Sequence, residues 1–582
     1  MNKILKKNLT FLSRRYPSIE KKIVAINNAY PFSFLSSPVP NIYLKDKPIH
    51  SRANPEKEAM NLVRDLTVKE GYVFVFMGIG LGYHIEAFVN LYGKKAAEAT
   101  IIAIEKSPEA FRLLTDNRDI SFLENVHLFI GESIDFIASC FERLNPLSFK
   151  GYRIIKLRGA FSSFINYYEE LENYFKSSIS GKLSDILTRF AFESLWMKNI
   201  VENIPFLAGK RSINALKNTL KNKPAIVIGA GPSLLGQLEM IKQISQNLHL
   251  IAVDTALEPL LKSGIEPDYI VTLDAQFINL FHFHHVMTGD KHPCGMNLVA
   301  DIVACPKILK YWRGNLYFSE AVSRIQDNKK THHESLPLMN LFRNYFQQID
   351  PLECGGSVAT TAIELALYMG ANPVLVTGID LSYTNFMTHI NSSTLYTLYF
   401  LEADRFKNLQ TSIINQIRKR KLQMAPGIHG GNVLSDFIFS KYIKWIENKK
   451  EYRNLVFNVT EDGALIPHLR HLSLQKLIND SFFKTKKAVP AVFPVEIFSR
   501  DISLMFLRDL KIKVADAREE LKNYLKSKEA VNVFINKYPF LKNIMLEITS
   551  LYSNYTSSYT NMVMFLSLLE RKIERSVKRI EK

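Results

Sequence analysis

The sequence predicts an α/β protein in several parts: a Rossmann-like N-terminal unit, a central doubly wound α/β domain and a helical C-terminal region. Three observations predict it. Two apolar runs end in glycine turns, FVFMGIGLG at 74–82 and AIVIGAGPS at 225–233. Each is followed by a second apolar run that ends on an acid, Glu105 and Asp254 respectively, which is the order of a nucleotide-binding βαβ unit. From Val489 onward apolar residues such as Phe506, Leu507, Leu510 and Val514 recur at helical spacing. At 582 residues the chain is too long for one core. The expected parts are 1–154 (Rossmann-like), 155–220 (helical connector), 221–470 (central α/β) and 471–582 (helical).

Taken in order, the first sixty residues read as a helix, a strand or two and a loop. Asn54 is expected to cap a helix with Pro55 at its first position. Tyr72–Met77 and Thr100–Ile104 are predicted strands around the turn Gly78-Ile79-Gly80-Leu81-Gly82. That turn resembles the cofactor turn of methyltransferases, which implies a ribose-holding role for Glu105; a purely structural unit is the alternative. Tyr167–Phe175 and Leu183–Ile204 are predicted helices, with Phe190, Phe192 and Trp196 in the core. The central domain is predicted to carry strands at Ala225–Ile228, Leu250–Val253, Tyr269–Leu273, Gly295–Asp301, Leu316–Phe318 and Pro373–Val376. A helix is expected at Val433–Glu447. The last, at Asn561–Lys582, ends in a basic tail that suits a helix C-terminus or a partner surface.

Composition narrows the function classes. A hydrophobic share of 47% fits a globular protein. A net charge of +18 favours anionic partners, but without zinc-finger spacing or an aromatic-basic RNA motif nucleic acid is not expected. Cys140, Cys294, Cys305 and Cys354 are widely spaced, as expected of reduced thiols in a cytoplasm. The charged N-terminus is not that of a signal peptide, and no run has the length of a membrane span. A cytoplasmic location is therefore expected.

The candidate site starts at Gly229-Ala230-Gly231-Pro232-Ser233. The glycines permit a sharp bend and close approach, and the helix start is expected to present free N–H groups to a phosphate. Asp254 lies where such units hold a ribose. The third glycine of the dinucleotide fingerprint is replaced by Leu234, which argues against NAD. A second anion cradle is expected at Gly355-Gly356-Ser357, with Thr360 and Thr361 in the next helical turn. The strand before Gly378-Ile379-Asp380-Leu381-Ser382-Tyr383 ends where active-site residues of open α/β sheets gather. Asp274 and Gln276 end another strand, and Asn458, Thr460 and Glu461 a further one. For a proton acceptor near neutral pH the candidates are His389 and His429. His282, His284 and His285 have no cysteine or acid at ligand spacing, so a zinc site is not expected.

GAGPSL, GGSVATTAIELALYMGA and VTGIDLSY, with HSRANPEKEA, GIGLGYH and NVTEDGALI, together resemble the motility-associated-factor (Maf) family of flagellin glycosyltransferases over about residues 40–470. The central domain of that family is shared with 6-hydroxymethylpterin diphosphokinase MptE-like proteins. The same domain resembles bacterial sialyltransferases that use CMP-sialic acid, with Ala230 and Asp254 where those carry asparagines. The resemblance implies a glycosyltransferase-like central domain, a CMP-activated nonulosonic sugar such as pseudaminic acid as donor, and flagellin as acceptor. It also implies that Tyr383 donates to the departing phosphate. The sialyltransferase pattern points to His429 as base and the motility-family pattern to His389. A CMP donor needs no Asp-x-Asp metal site, and none appears at Asp254 or Asp274; no resident cofactor or metal is expected. The alternatives are an ATP- and Mg²⁺-dependent pyrophosphotransferase acting on a pterin alcohol, and a nucleotide-binding module without turnover.

Overall fold

The computed structural model describes residues 3–36, 39–68, 72–97, 99–137, 151–288, 295–327, 330–346, 349–405, 408–480, 486–487, 498–524, 528–551 and 555–581, with side chains left aside at 177–191, at 324–334 and at a few helix ends. Cys140, Cys294, the Phe190 side chain and most of Val489–Phe498 lie outside the described residues. Two compact units form, Met1–Arg189 and Phe190–Lys582, and their boundary falls within the helix Ile165–Leu207.

In the first unit, β1 (Tyr72–Met77), β2 (Thr100–Glu105), β3 (Val126–Ile130) and β4 (Gly151–Lys156) form a parallel sheet in the order β3-β2-β1-β4. β1 is a continuous apolar run because both of its faces are covered. Asn54 caps Pro55–Val63 as expected, its side chain accepting the Lys57 N–H at 2.8 Å.

The chain itself fills the glycine turn after β1. Glu105 accepts the N–H groups of Ile79 (2.8 Å), Gly80 (3.2 Å) and Ser107 (3.2 Å), and His50 Nε2 accepts the Leu81 N–H at 2.7 Å. A Cβ at Gly80 would lie 2.4 Å from His50 Nε2, and one at Gly82 would lie 2.5 Å from Phe122. The acid expected to hold a ribose thus braces its own loop, and the purely structural reading of this turn is the one observed.

His50 and His84 are fully buried. Burial holds His50 well below the ordinary 6.5 and His84 at about 4. Both are neutral in the fold and become charged on unfolding, so their contribution is complete above 6.5 and is lost as pH falls from 6.5 towards 4. Amide exchange at 72–77 is expected to accelerate over that interval, and less so in His84→Gln. Glu105, raised by burial, acts in the opposite direction, which is why the comparison is made between variants.

The second unit is built on a larger sheet. β5 (Ala225–Ile228), β6 (His249–Val253), β7 (Tyr269–Thr272), β8 (Asn297–Asp301), β9 (Asn315–Asp327), β10 (Val374–Thr377) and β11 (Val456–Asn458) run parallel in the order β9-β8-β7-β6-β5-β10-β11. The chain steps one way from β5 to β6 and later returns on the other side as β10, so the switch point lies between β5 and β10. The antiparallel Lys330–Glu334 lies at one edge and Arg470–His471 at the other.

Helices α1 (Leu234–Ile244), α2 (Asp254–Lys262) and α3 (Val358–Tyr368) flank the switch. The helices Arg500–Tyr524 and Tyr555–Glu581 are not a free-standing bundle: Phe506, Leu510, Leu566 and Leu569 share one core with Ile270 and Leu298 of the sheet.

One expected helix start is corrected. Asn432–Asp436 is a strand paired antiparallel with Leu422–Pro426, and the helix begins at Phe437. Gly430 and Gly431, with φ of +83° and +68°, turn the hairpin. Asp436 then caps the helix by accepting the Phe439 N–H at 2.7 Å.

Candidate active site

The strand ends at the switch point meet backbone to backbone. A Cβ at Gly229 would lie 2.3 Å from the Gly378 carbonyl oxygen, and one at Gly463 would lie 2.4 Å from that of Asp380. The Gly229 N–H donates to Thr377 O at 2.8 Å and the Gly231 N–H to Gly378 O at 2.7 Å. Close approach between segments of the chain therefore accounts for these glycines.

The expected phosphate cradle at this turn needs correction. Asp380 Oδ2 accepts the Ser233 N–H at 2.9 Å, and its Oδ1 accepts the Ser233 hydroxyl at 2.6 Å. The N–H groups of Leu234, Leu235 and Gly236 go to the carbonyls of Gly231, Pro232 and Ser233. A carboxylate of the chain thus occupies the anion position at this helix start. Burial raises Asp380 to about 7 despite the two Ser233 bonds, with Asp462 adding to the rise.

Asp254 is likewise committed internally. It is buried at the start of α2, where Oδ2 accepts Thr272 Oγ1 (2.9 Å) and Asn279 Nδ2 (3.0 Å), and Oδ1 accepts the Thr255 N–H (2.8 Å). The ribose role is replaced by a knot that ties β6 to β7 and the turn beyond it. Tyr383 is corrected for the same reason: its buried hydroxyl donates to Asp436 Oδ2 at 2.6 Å. Asn458 accepts the Thr460 N–H at 3.0 Å, and both are buried within the strand end.

A cluster of buried polar atoms lies beside these contacts. Ile390 N donates to Ala230 O at 2.9 Å, which seats the loop carrying His389 on the glycine turn. His389 Nδ1, His282 Nδ1, Ser392 Oγ and Ser393 Oγ are buried and lack a hydrogen-bond partner. Burial lowers His389 to about 4, and the neighbouring His282 and Arg420 add to the shift. Asp274, raised by burial, feels both Asp254 and His282. Asp274, His282 and His389 thus form one electrostatic neighbourhood at the carboxyl ends of the strands. Sequence reasoning missed His282, Ser392 and Ser393 as site residues; the HFHH run was visible, but its fold neighbours were not. Leu381, Asn385 and Phe386 in the loop after β10 have φ of 49°, 53° and 55°, and such strained positions cluster at functional sites.

The remaining candidates are held by contacts of their own. Gln276 is exposed, and its N–H donates to Asp274 Oδ1 at 2.8 Å. At the second helix start, Ser357 Oγ accepts the Ala359 N–H at 3.2 Å, and Thr360 Oγ1 bridges Gly355 N and Ser357 O. Thr361 is buried. Gly356 has φ of +94° and is faced by Tyr442, whose hydroxyl donates to its carbonyl at 2.8 Å. His429 sits exposed on the hairpin turn, Nε2 at 2.6 Å from Glu461 O. Among the described residues no group of three or more His, Cys, Asp or Glu has the arrangement of a metal site, and no helix is long and apolar enough to cross a membrane.

Residues 198–386, which hold the switch-point strands and His282, match the family model described as 6-hydroxymethylpterin diphosphokinase MptE-like; His389, Ser392 and Ser393 follow just after the matched stretch. Over nearly its full length the chain is similar to the Maf glycosyltransferase from Magnetospirillum magneticum AMB-1, with a TM-score of 0.54 and 14% identity, covering 99% of this chain and 93% of that one. Domain match and fold thus agree with the motif resemblance to the Maf family. Among curated relatives, one "uncharacterized protein" of Treponema pallidum (strain Nichols) is 24% identical over 403 residues, 68% of this chain and 64% of its own length. Another from the same organism is 30% identical over 129 residues, 22% of this chain and 60% of its own length. The matched regions span less than two thirds of these relatives.

Proposed function

We propose that the chain is a cytoplasmic glycosyltransferase that moves a nonulosonic, sialic-acid-like sugar such as pseudaminic acid from a CMP donor to serine or threonine hydroxyls of flagellin, in the service of flagellum assembly and motility. The observation that carries this reading is the cluster of unpaired buried polar atoms at His282, His389, Ser392 and Ser393, within and just after the stretch that matches the MptE-like model, in a chain with the fold of the Maf glycosyltransferase. In this reading the donor lies against the Gly229–Ser233 turn, Asp274 and Gln276. The Gly356–Thr361 helix start faces its phosphate, and Gly378 and Asp380 hold the turn in shape. The acceptor hydroxyl attacks the anomeric carbon, the bond from that carbon to the phosphate oxygen breaks, and CMP leaves with the electron pair. His389, neutral above about pH 4, takes the hydroxyl proton. Its burial favours it over the exposed His429.

The test is transfer itself. Purified chain, CMP-activated nonulosonic acid and unmodified flagellin are expected to give flagellin heavier by the sugar residue in intact-mass spectra; an unchanged mass counts against the proposal. Ser357→Ala and Thr361→Ala are expected to weaken CMP binding. The name of the domain model favours a second reading, ATP- and Mg²⁺-dependent pyrophosphate transfer to a pterin alcohol. Thermal stabilisation by ATP with Mg²⁺, and not by CMP, would select it.

A further inference from the structure

A cavity of about 450 Å³ lies in the second unit, between the helix Pro306–Tyr311 and the helix Tyr555–Glu581. It is lined by Lys307 and Lys310 from the first helix and by Lys572, Arg575 and Arg579 from the second. Positions 572, 575 and 579 share one helical face, as do 307 and 310, so two basic faces oppose each other across one space. The lining contains a single carboxylate, Glu202, which is paired with Lys572. The Lys572 ammonium is held below its ordinary value by burial, with Lys198 and Arg575 adding their repulsion. Arg579 lies over the Phe206 ring, 5.0 Å from its centroid, so its direction is set by packing. The other walls include Phe206 and Phe277, which gives the site the mix of apolar wall and converging charge typical of a small-molecule pocket.

We infer that this cavity is a second anion site, taking a small molecule with two or more linked phosphates. The charge count sets the number of phosphates: five cations against one carboxylate exceed what a single phosphate neutralises. A pocket of this volume, with Phe206 and Phe277 in its walls, favours a small molecule over the acidic face of a protein.

The site is separate from the cluster at His282 and His389 and yet joined to it through the segment 274–279. Ala275 lines the cavity, and its carbonyl accepts Asn199 Nδ2 at 3.0 Å. Four residues on, Asn279 Nδ2 holds Asp254 and Thr272. An anion drawn against Lys307 and Arg575 therefore bears on the segment that also carries Asp274.

The test uses the full chain with pyrophosphate and tripolyphosphate as probes, titrated by calorimetry at two salt concentrations, with CMP measured separately. Tripolyphosphate is expected to bind more tightly than pyrophosphate and to weaken as salt rises. Arg575→Glu is expected to weaken it at least about tenfold, the cost of reversing one charge at close range, while the thermal shift given by CMP stays at the wild-type value. Lys310→Gln, exposed on its helix, is expected to weaken it less and guards against misfolding of the first variant. Equal binding by wild type and both variants overturns the inference. So does binding abolished equally by Lys511→Glu on the outer face of the C-terminal helices, which would indicate diffuse attraction. Failure of CMP to bind would count against the proposed donor and leave the tripolyphosphate result decisive for this site.

Discussion

His389→Ala is expected to lower sugar transfer by about 10²- to 10⁴-fold, the range supplied by a positioned proton acceptor, while CMP binding persists. The imidazole Nδ1 has no hydrogen-bond partner within the fold, so its removal deprives the reaction of a base without unpairing a neighbour. With the group held at about 4 by burial, transfer is expected to be flat with pH near neutrality and to fall only as acid approaches that value. His429→Ala is expected to leave the rate close to wild type, because that side chain is exposed and bonded to a backbone carbonyl. Single-turnover transfer, with CMP affinity measured in parallel, decides between them. Normal turnover by His389→Ala would remove it from the role.

Gly229→Ala is expected to cost about 3 kcal/mol, the upper part of the range for overpacking, because the added methyl meets rigid backbone and not a movable side chain. The new Cβ would lie 2.3 Å from the Gly378 carbonyl oxygen, so β5 and β10 must part where they are bonded. CMP binding is expected to fall with stability, since Ser233 and Asp380 are aligned by the same contact. Ser233→Ala removes only the hydroxyl bond and is expected to cost less. Thermal unfolding of the three proteins side by side measures the order; a wild-type melting temperature for Gly229→Ala would show that the strand ends are not locked together.

Much of the fold was legible because apolar runs bounded by glycine turns leave few alternatives. Tyr72–Met77 and Ala225–Ile228 appear as strands with the expected bounds, and Asn54 and Pro55 start their helix as their chemistry dictates. The hairpin at 422–436 was not legible: the period of Asn432–Asp436 merges with the helix behind it, and only the pairing with Leu422–Pro426 makes it a strand. Site residues were legible by type but not by role. Asp254, Asp380, Glu105 and Tyr383 all carry groups that could serve a ligand, and each is bonded to its own chain. A sequence displays donors and acceptors without showing which of them find each other.

The sequence alone determined the α/β order, the switch-point glycines and the set of histidines from which a base is drawn, because periodicity, turn stereochemistry and side-chain type are local properties. Only the tertiary structure decided that Asp380 takes the Ser233 N–H and hydroxyl first offered to a phosphate. It alone brought His282 into the field of both Asp274 and His389, and set Lys307 and Lys310 opposite Lys572, Arg575 and Arg579. Those outcomes depend on charges and hydrogen-bonding groups far apart in the chain meeting in a region shielded from water, where each must find a partner within the fold or remain open to a ligand.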